Sequence, residues 1–241
     1  MSDDLEARRD RPPSVQALAP RAALTEDVYE AVKALILDGA VDPGASLTFD
    51  TLARELGVSP TPVRESLARL EADGLARKDG KRGYFATDKL TVEEVEQMYD
   101  FRLLVEPWAV RRATMLATAE QSLSLRRLVE GVPEMPGSLG YRHLRALSGH
   151  DAMFHGQILR FSQNDFIVNS FERSHCFLHL FRLQYNQPSI LRSAGEALQE
   201  HGVIAGHIAS GDAEEAERSM VEHLESARKR VRQMMSDARG S

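Results

Sequence analysis

Apolar residues recur along most of this chain at spacings of three and four, the mark of helices with one buried face. Leu24 to Asp38 is predicted as a first helix, with Val28, Val32, Leu35 and Ile36 on its inner stripe. Thr25, Glu26 and Asp27 suit its positive N-terminus, and Gly39, Pro43 and Gly44 end it. Ser46 to Thr48 can pair as a short strand. A short helix over Thr51–Leu56 then meets Gly57, which supplies a tight bend. Ser59 is placed to cap the next helix, with a proline at its first position. Val63, Leu67 and Leu70 recur at i, i+4, i+7, so Thr61, Arg64, Glu65 and Ala68 fall on the opposite, open face. Gly74 closes this helix, and Leu75–Asp79, Gly80–Gly83 and Tyr84–Thr87 read as a hairpin with Lys81 and Arg82 at its tip between two glycines. Two helices joined by a tight turn, followed by a hairpin, are a helix-turn-helix with a wing. Arg64 near the N-terminus of the second helix can donate two hydrogen bonds to a guanine edge in a major groove.

After Asp88 the strand signals stop. Thr91-x-x-Glu94 is a capping box opening a helix that runs to about Ala117, with Pro107 expected to kink it. Further helices are predicted over Glu120–Gly131, Tyr141–Phe161, Asp165–Tyr185, Ser189–Ser210 and Ala213–Met235. Gly131 to Gly140 reads as a loop and Ser210–Asp212 as a turn. The expected fold is mostly α, a winged helix-turn-helix over residues 24–88 followed by an antiparallel six-helix bundle over 91–235. Residues 1–23, rich in arginine and proline, read as a flexible arm.

Composition changes this picture in two places. The 241 residues are 42% hydrophobic and 27% charged, enough for two globular domains. The formal net charge of -6 is unusual for a nucleic-acid binder, so charge has to be judged locally. From Arg54 to Arg82 seven basic side chains face five acidic ones, a modest patch suited to sequence-selective, dimer-assisted binding. The single cysteine, Cys176, excludes an internal disulfide and fits a cytoplasmic protein; no apolar run reaches membrane-spanning length.

The stretch from Gly57 to Leu70 resembles the DNA-binding domain of GntR-family transcription regulators, whose signature runs Gly-Val-Ser-x-Thr-Pro-Val-Arg-Glu-Ala-Leu-x-x-Leu. The resemblance implies DNA contacts from Ser59, Thr61, Arg64, Arg69, Lys81, Arg82 and Gly83. In this family the slot after Ser59 often holds a base-contacting arginine; here it is Pro60, which implies a different operator sequence.

All 8 histidines lie beyond residue 142. Asp151 and His155 are four apart on one predicted helix, while His201 and His223 fall on two others. If those helices adjoin, one carboxylate and three imidazoles converge, a donor set suited to zinc, nickel or manganese. Residues 91–235 resemble the FCD ligand-binding domain of the FadR subfamily. The resemblance rests on His150-Asp151-x-x-Phe154-His155 with Ser162-x-Asn164, on Glu200-His201-x-x-Ile204 with Ser210-Gly211-Asp212-Ala213, and on Met220-x-x-His223-Leu224. It implies Asp151, His155, His201 and His223 as metal ligands, with zinc the first choice, and leaves His143, His150 and His207 as ordinary polar residues. It also implies that Arg102, in Arg-x-x-x-Glu with Glu106, faces an effector pocket; a surface salt bridge is the alternative. His175 and His179, another i, i+4 pair, are candidate pocket residues. Six helices rather than seven suggest the VanR-like branch.

The expectation is a regulator, a repressor rather than an enzyme, that binds a palindromic operator as a homodimer and responds to a small organic acid held at the metal and Arg102. A regulator responding to metal alone and a helical-bundle metalloenzyme are the competing readings.

Overall fold

The computed structural model describes residues 19–131, 141–184, 187 and 189–238. The arm at residues 1–18 and the loop at 132–140 lie outside them, as do the side chains of Lys81 and His143.

The first helix, α1 (Ala19–Leu37), starts five residues before its predicted N-terminus, so the last part of the expected arm is helical. After β1 (Ser46–Leu47), α2 (Phe49–Leu56) ends at Gly57, whose φ of 67° lets its N–H reach the carbonyls of Ala53 and Arg54. The second helix of the pair is α3 (Pro60–Ala72), and Gly74, at φ 71°, turns the chain out of it. Strands β2 (Ala76–Lys78) and β3 (Tyr84–Ala86) flank a short 3-10 turn at Gly80–Arg82. They form an antiparallel sheet in the order β1-β3-β2, with Leu47 opposite Tyr84 and Arg77 opposite Phe85. Val28, Val32, Leu52, Val63, Leu67, Leu70 and Ala86 fill the core beneath it.

The second domain opens with α4 (Val92–Leu116), capped reciprocally by Thr91 and Glu94 as expected and continuous through Pro107. It is followed by α5 (Ala119–Glu130), α6 (Tyr141–Phe161), α7 (Asp165–Ser174), α8 (Cys176–Gln184), α9 (Ile190–Ser210) and α10 (Ala213–Asp237). Among the described residues the domain therefore has seven helices, which corrects the expected six and removes the count on which the VanR-like branch rested. The predicted helix over Asp165–Tyr185 breaks at His175, which takes a left-handed conformation at φ 49°. No glycine or proline marks the break. What accompanies it is tertiary: the His175 ring lies 3.1 Å from the carbonyl of Ala72 at the end of α3.

That break redirects α8 into the seam between the domains. Phe181 is buried in the core of the winged domain, with Leu178 and Ile190 packed beside it. Arg182, 2% exposed, donates to the Thr87 hydroxyl at 2.9 Å, the Thr87 carbonyl at 2.7 Å and the Asp88 carbonyl at 3.3 Å. The opposite side of α8 faces inward, where Leu180 and Leu183 pack with Val95, Tyr99 and Val231.

Candidate functional site

On the winged domain, Ser59, Thr61, Arg64, Glu65 and Ala68 are all exposed. Ser59 occupies the N-cap position of α3, but its side chain makes no capping bond there. The Arg64 guanidinium rests over the Phe49 ring at 4.5 Å, which steadies it without consuming its donors in an ion pair. Arg69 is placed differently. It pairs with Glu26 and stacks over Tyr29 at 3.8 Å, so it ties α3 to α1. At the hairpin tip Arg82 is exposed and paired with Asp79, and Gly83 has φ 98°, a conformation that favours glycine. The structure brings Ser59, Thr61 and Arg64 onto one open end of α3 and leaves Arg69 on its flank.

In the helical domain His155 on α6, His201 on α9 and His223 on α10 are buried to 0%, 1% and 3% exposure, and one ligand atom from each lies within 4.8 Å of the others. The Nε2 atoms of His155 and His223 are 3.3 Å apart. Asp151 Oδ1 stands 3.5 Å from His201 Nε2 and 3.8 Å from His155 Nε2. The four residues thus meet, with Asp151 the most exposed of them.

The outer nitrogens are organised as metal-binding imidazoles require. His155 Nδ1 pairs with Glu106 on α4, and His223 Nδ1 with Glu200 Oε2 at 2.7 Å. These bonds favour the Nδ1–H tautomer in both rings and aim a lone pair from each Nε2 inward. Both carboxylates are fixed by arginines. Arg102 Nε donates to Glu106 Oε1 at 2.6 Å, and Arg230 forks onto Glu200 at 2.7 and 2.8 Å. Burial alone would raise both carboxyl pKa values. For Glu106 the Arg102 charge and the bonds from His155 and Arg102 outweigh it, and for Glu200 the bonds from Arg230 and His223 do, holding each at about 2. Burial, aided by the neighbouring imidazoles, pushes His201 well below the ordinary histidine value, and His223 is lowered by burial against the pull of Glu200. Neutral imidazoles are the form that ligates a metal.

One observation tests whether an ion belongs here. Neither ring nitrogen of His201 has a hydrogen-bond partner, although both are buried. Leaving a buried polar group unpaired costs about 1–3 kcal/mol, and a divalent ion between the three imidazoles and Asp151 would satisfy Nε2. The donor set and the orphaned ring fit a metal.

Beside the triad lies a cavity of about 90 Å³, lined by Tyr99, Arg102, Asp151, His201, His223 and Arg230 together with apolar side chains including Phe177 and Leu180. Arg102 is 2% exposed, so its salt bridge with Glu106 is a buried one, not a surface one, and its Nη2 has no partner. Its guanidinium is enclosed by the rings of Phe177 at 5.0 Å and Tyr99 at 5.3 Å.

The expectation that His175 and His179 line this cavity is corrected. The His175 ring reaches Ala72 O, and His179 sits where a Cβ on Gly74 would meet its Nε2 at 3.6 Å. Both side chains lie against the end of α3 because α8 turns toward the winged domain. Burial lowers the His179 pKa, with Arg182 and His175 adding to the effect. His150 does line the cavity, with its Nε2 2.7 Å from the Leu128 carbonyl. The orienting roles of Glu106 and Glu200 went unrecognised in the sequence. In the sequence Glu106 reads only as a partner of Arg102, and Glu200, next to His201, bonds the histidine of the neighbouring helix.

A winged helix-turn-helix with an open arginine-bearing helix, fused to a helical domain enclosing a histidine cluster, is the architecture of a DNA-binding transcription regulator. Comparison with known families agrees: the bacterial regulatory proteins of the gntR family match residues 24–86, and the FCD domain matches residues 97–226. The chain belongs to the GntR family, in its FCD-containing group. It is similar to the uncharacterized HTH-type transcriptional regulator YdhC of Bacillus subtilis (strain 168), 28% identical over 81% of this chain and 85% of that protein. It is also similar to the HTH-type transcriptional repressor RspR of Escherichia coli (strain K12), 21% identical over 91% of this chain and 94% of that one. Among solved structures, E. coli McbR/YncC shares the fold, with a TM-score of 0.61 at 20% identity over 88% of this chain and 98% of the other. These relatives by sequence are regulators rather than enzymes. No helix among the described residues is long and apolar enough to cross a membrane.

Proposed function

We propose that this regulator is a repressor whose operator binding is released by a small carboxylate bound beside a divalent metal. The observation that carries the reading is the orphaned Arg102 Nη2, buried at the wall of the histidine cavity. A buried guanidinium edge without an acceptor calls for an anion, and a carboxylate matches its fork. Asp151, His155, His201 and His223 would hold the ion, with zinc first and nickel or manganese as alternatives. Bound there, the ion supplies a Lewis-acidic position for one carboxylate oxygen. Arg102 orients the ligand, Glu106 and Glu200 keep the imidazoles in the ligating tautomer, and the apolar walls exclude water.

On the DNA side, Ser59, Thr61 and Arg64 enter the major groove, with Lys81, Arg82 and Gly83 at the wing. Arg69 supports α3 from its flank. A homodimer presents two such helices to a palindromic site. Helix α8 connects the two functions, because Phe177, Leu180 and Phe181 border the cavity while Phe181 and Arg182 seat the winged domain. A ligand that packs better with one seating of α8 shifts the placement of α3 by that difference in affinity.

The test is operator binding titrated with pairs of carboxylic acids and their amides, on metal-loaded wild type and Arg102→Ala. Acids should release wild type and amides should not. Release by metal alone would instead favour a metal sensor, and equal responses to acid and amide would overturn carboxylate capture.

A further inference from the structure

A second cavity lies between the two domains. It is a cleft of about 480 Å³, the size of a small-molecule site. Tyr29, Lys33 and Leu37 of α1, with Asp73 beyond α3, form its winged-domain wall, and α6, α7 and α8 form the other. Arg102, Asp151, His155, His201 and His223 do not line it, so it is separate from the histidine cavity. The two are nevertheless adjacent, because Ser148, Phe177 and Phe181 border both. The inner surface is apolar, with Leu37, Leu159, Val168, Phe171 and Cys176. The charged side chains that line it among the described residues already have partners within the chain. Lys33 and Arg145 share Glu30, Arg160 stands 3.8 Å from Glu172, and Asp73 accepts the Tyr29 hydroxyl. Lys33, Arg145 and Arg160 are thus matched by Glu30, Glu172 and Asp73, and the rim carries no net charge.

Helix α6 leaves this space open at a local cost. Gly149, Ala152 and Gly156 recur at i, i+3, i+7 on its cleft-facing side. Glycine is disfavoured in a helix interior, where it ordinarily answers to a close approach or a left-handed turn. Neither applies here. A Cβ on Gly149 would meet nothing within 4 Å, one on Gly156 would meet only the Arg160 guanidinium at 3.4 Å, and neither residue has a left-handed φ. We propose that the cleft is a second small-molecule site, for a neutral apolar ligand about the size of a two- or three-ring aromatic. Burying a charge against walls that hold no unpaired counter-charge is costly, which sets this ligand apart from the organic acids suited to Arg102. An occupant touches α1 and α6 to α8 at once. It therefore favours one seating of the winged domain by the difference in its affinity for the alternatives.

Fluorescence titration of the full chain with N-phenyl-1-naphthylamine, a neutral aromatic probe, tests this. Wild type should bind about one molecule per chain with a micromolar dissociation constant, and saturation should raise the melting temperature. Gly149→Leu with Gly156→Leu fills the cleft and should weaken binding by at least about tenfold. Neither position lines the histidine cavity, so the loss reports the cleft. The melting temperature of that variant should hold or rise, because leucine is favoured over glycine in a helix. Gly149→Ala, which adds a single methyl group, should change the affinity by less than about threefold. The sulfonated form of the probe, anilinonaphthalene sulfonate, should bind more weakly than the neutral one. Absent or unsaturable binding by wild type, or undiminished binding by the folded leucine variant, would overturn the site. Tighter binding of the sulfonate would overturn the ligand class. Binding that appears only once residues 1–18 are removed would give the cleft to that segment instead.

Discussion

The two domains use arginine in opposite ways. In the helical domain Arg102 is sealed inside, paired with Glu106, and Arg230 is largely covered and forked onto Glu200. In the winged domain Arg64 and Arg82 are exposed, with no more than a ring or a single surface carboxylate beside them. Taking a guanidinium and a carboxylate out of water costs several kcal/mol per ion, and the pair seldom returns more than that. Under the proposed function, charges buried at such cost around a small cavity serve to orient the imidazoles and the ligand. Exposed arginines contribute little to stability and remain free to meet phosphates and bases. The contrast separates a helical domain built on fixed electrostatics from a winged domain whose donors stay available, which is what the proposed division into a sensing end and a reading end requires.

Breaking a buried pair should therefore have the largest effect. Glu106→Ala leaves Arg102 uncompensated and His155 unoriented, and should lower unfolding free energy by about 3–5 kcal/mol, measured by urea denaturation; a change below ~1 kcal/mol would show that Arg102 finds another acceptor or water. Next comes the ion. Purified protein should hold about one divalent metal per chain by elemental analysis, His201→Ala and His223→Ala should each lose most of it, and a chelator should lower the wild-type melting temperature. Full occupancy in the double variant would end the assignment.

At the reading end, Arg64→Ala should cost about 1–3 kcal/mol in operator binding and relax base preference, while Arg69→Ala should leave base preference intact and loosen α1 from α3. Titration of both variants against a set of mutated operators separates these outcomes; loss of base preference in Arg69→Ala would reverse the assignment. Between the two ends, Arg182→Ala should keep metal and operator affinity but blunt release by acid, read as the shift in operator affinity on adding ligand.

The smallest effect belongs to the cap of α4. Thr91→Ala should cost about 0.5–2 kcal/mol. The Thr91 backbone and hydroxyl bonds hold the Glu94 carboxyl below the usual glutamate value. The folded pKa is thus depressed, so the stabilisation is complete above the ordinary glutamate range and disappears as pH falls through the lowered value. Glu94→Gln should flatten that part of the acid limb of a stability–pH profile; an unchanged limb would show that the cap carries no such linkage.

Much of this was legible in the chain. The capping box at Thr91, the bend at Gly57, the wing glycines and the span of α6 follow from local chemistry, and each stands where the pattern placed it. The convergence of Asp151, His155, His201 and His223 was legible through motif resemblance, since spacing alone does not say which helices adjoin. What the pattern missed was tertiary. The break at His175 has no glycine or proline to announce it, and the histidines beside it went to the winged domain instead of the cavity. Glu200 sits next to one histidine in sequence and bonds to another across helices, a relation that no periodicity encodes. Arg69 looked like a second DNA-facing arginine because the sequence does not reveal that Tyr29 and Glu26 lie alongside it.

The insertion of Phe181 beneath the winged domain bears on how such regulators can be recombined. With Leu178 and Ile190 it completes an apolar cluster that α1, α2, α3 and the small sheet leave open on one side. A hybrid spliced at Asp88, carrying these first residues on a foreign helical domain, would keep every side chain proposed to touch DNA yet lack the ring that closes the cluster. Swapping specificity between relatives therefore calls for transplanting the α8 segment together with the reading head, or for regrafting only the exposed face of α3 onto a scaffold whose own interior stays whole.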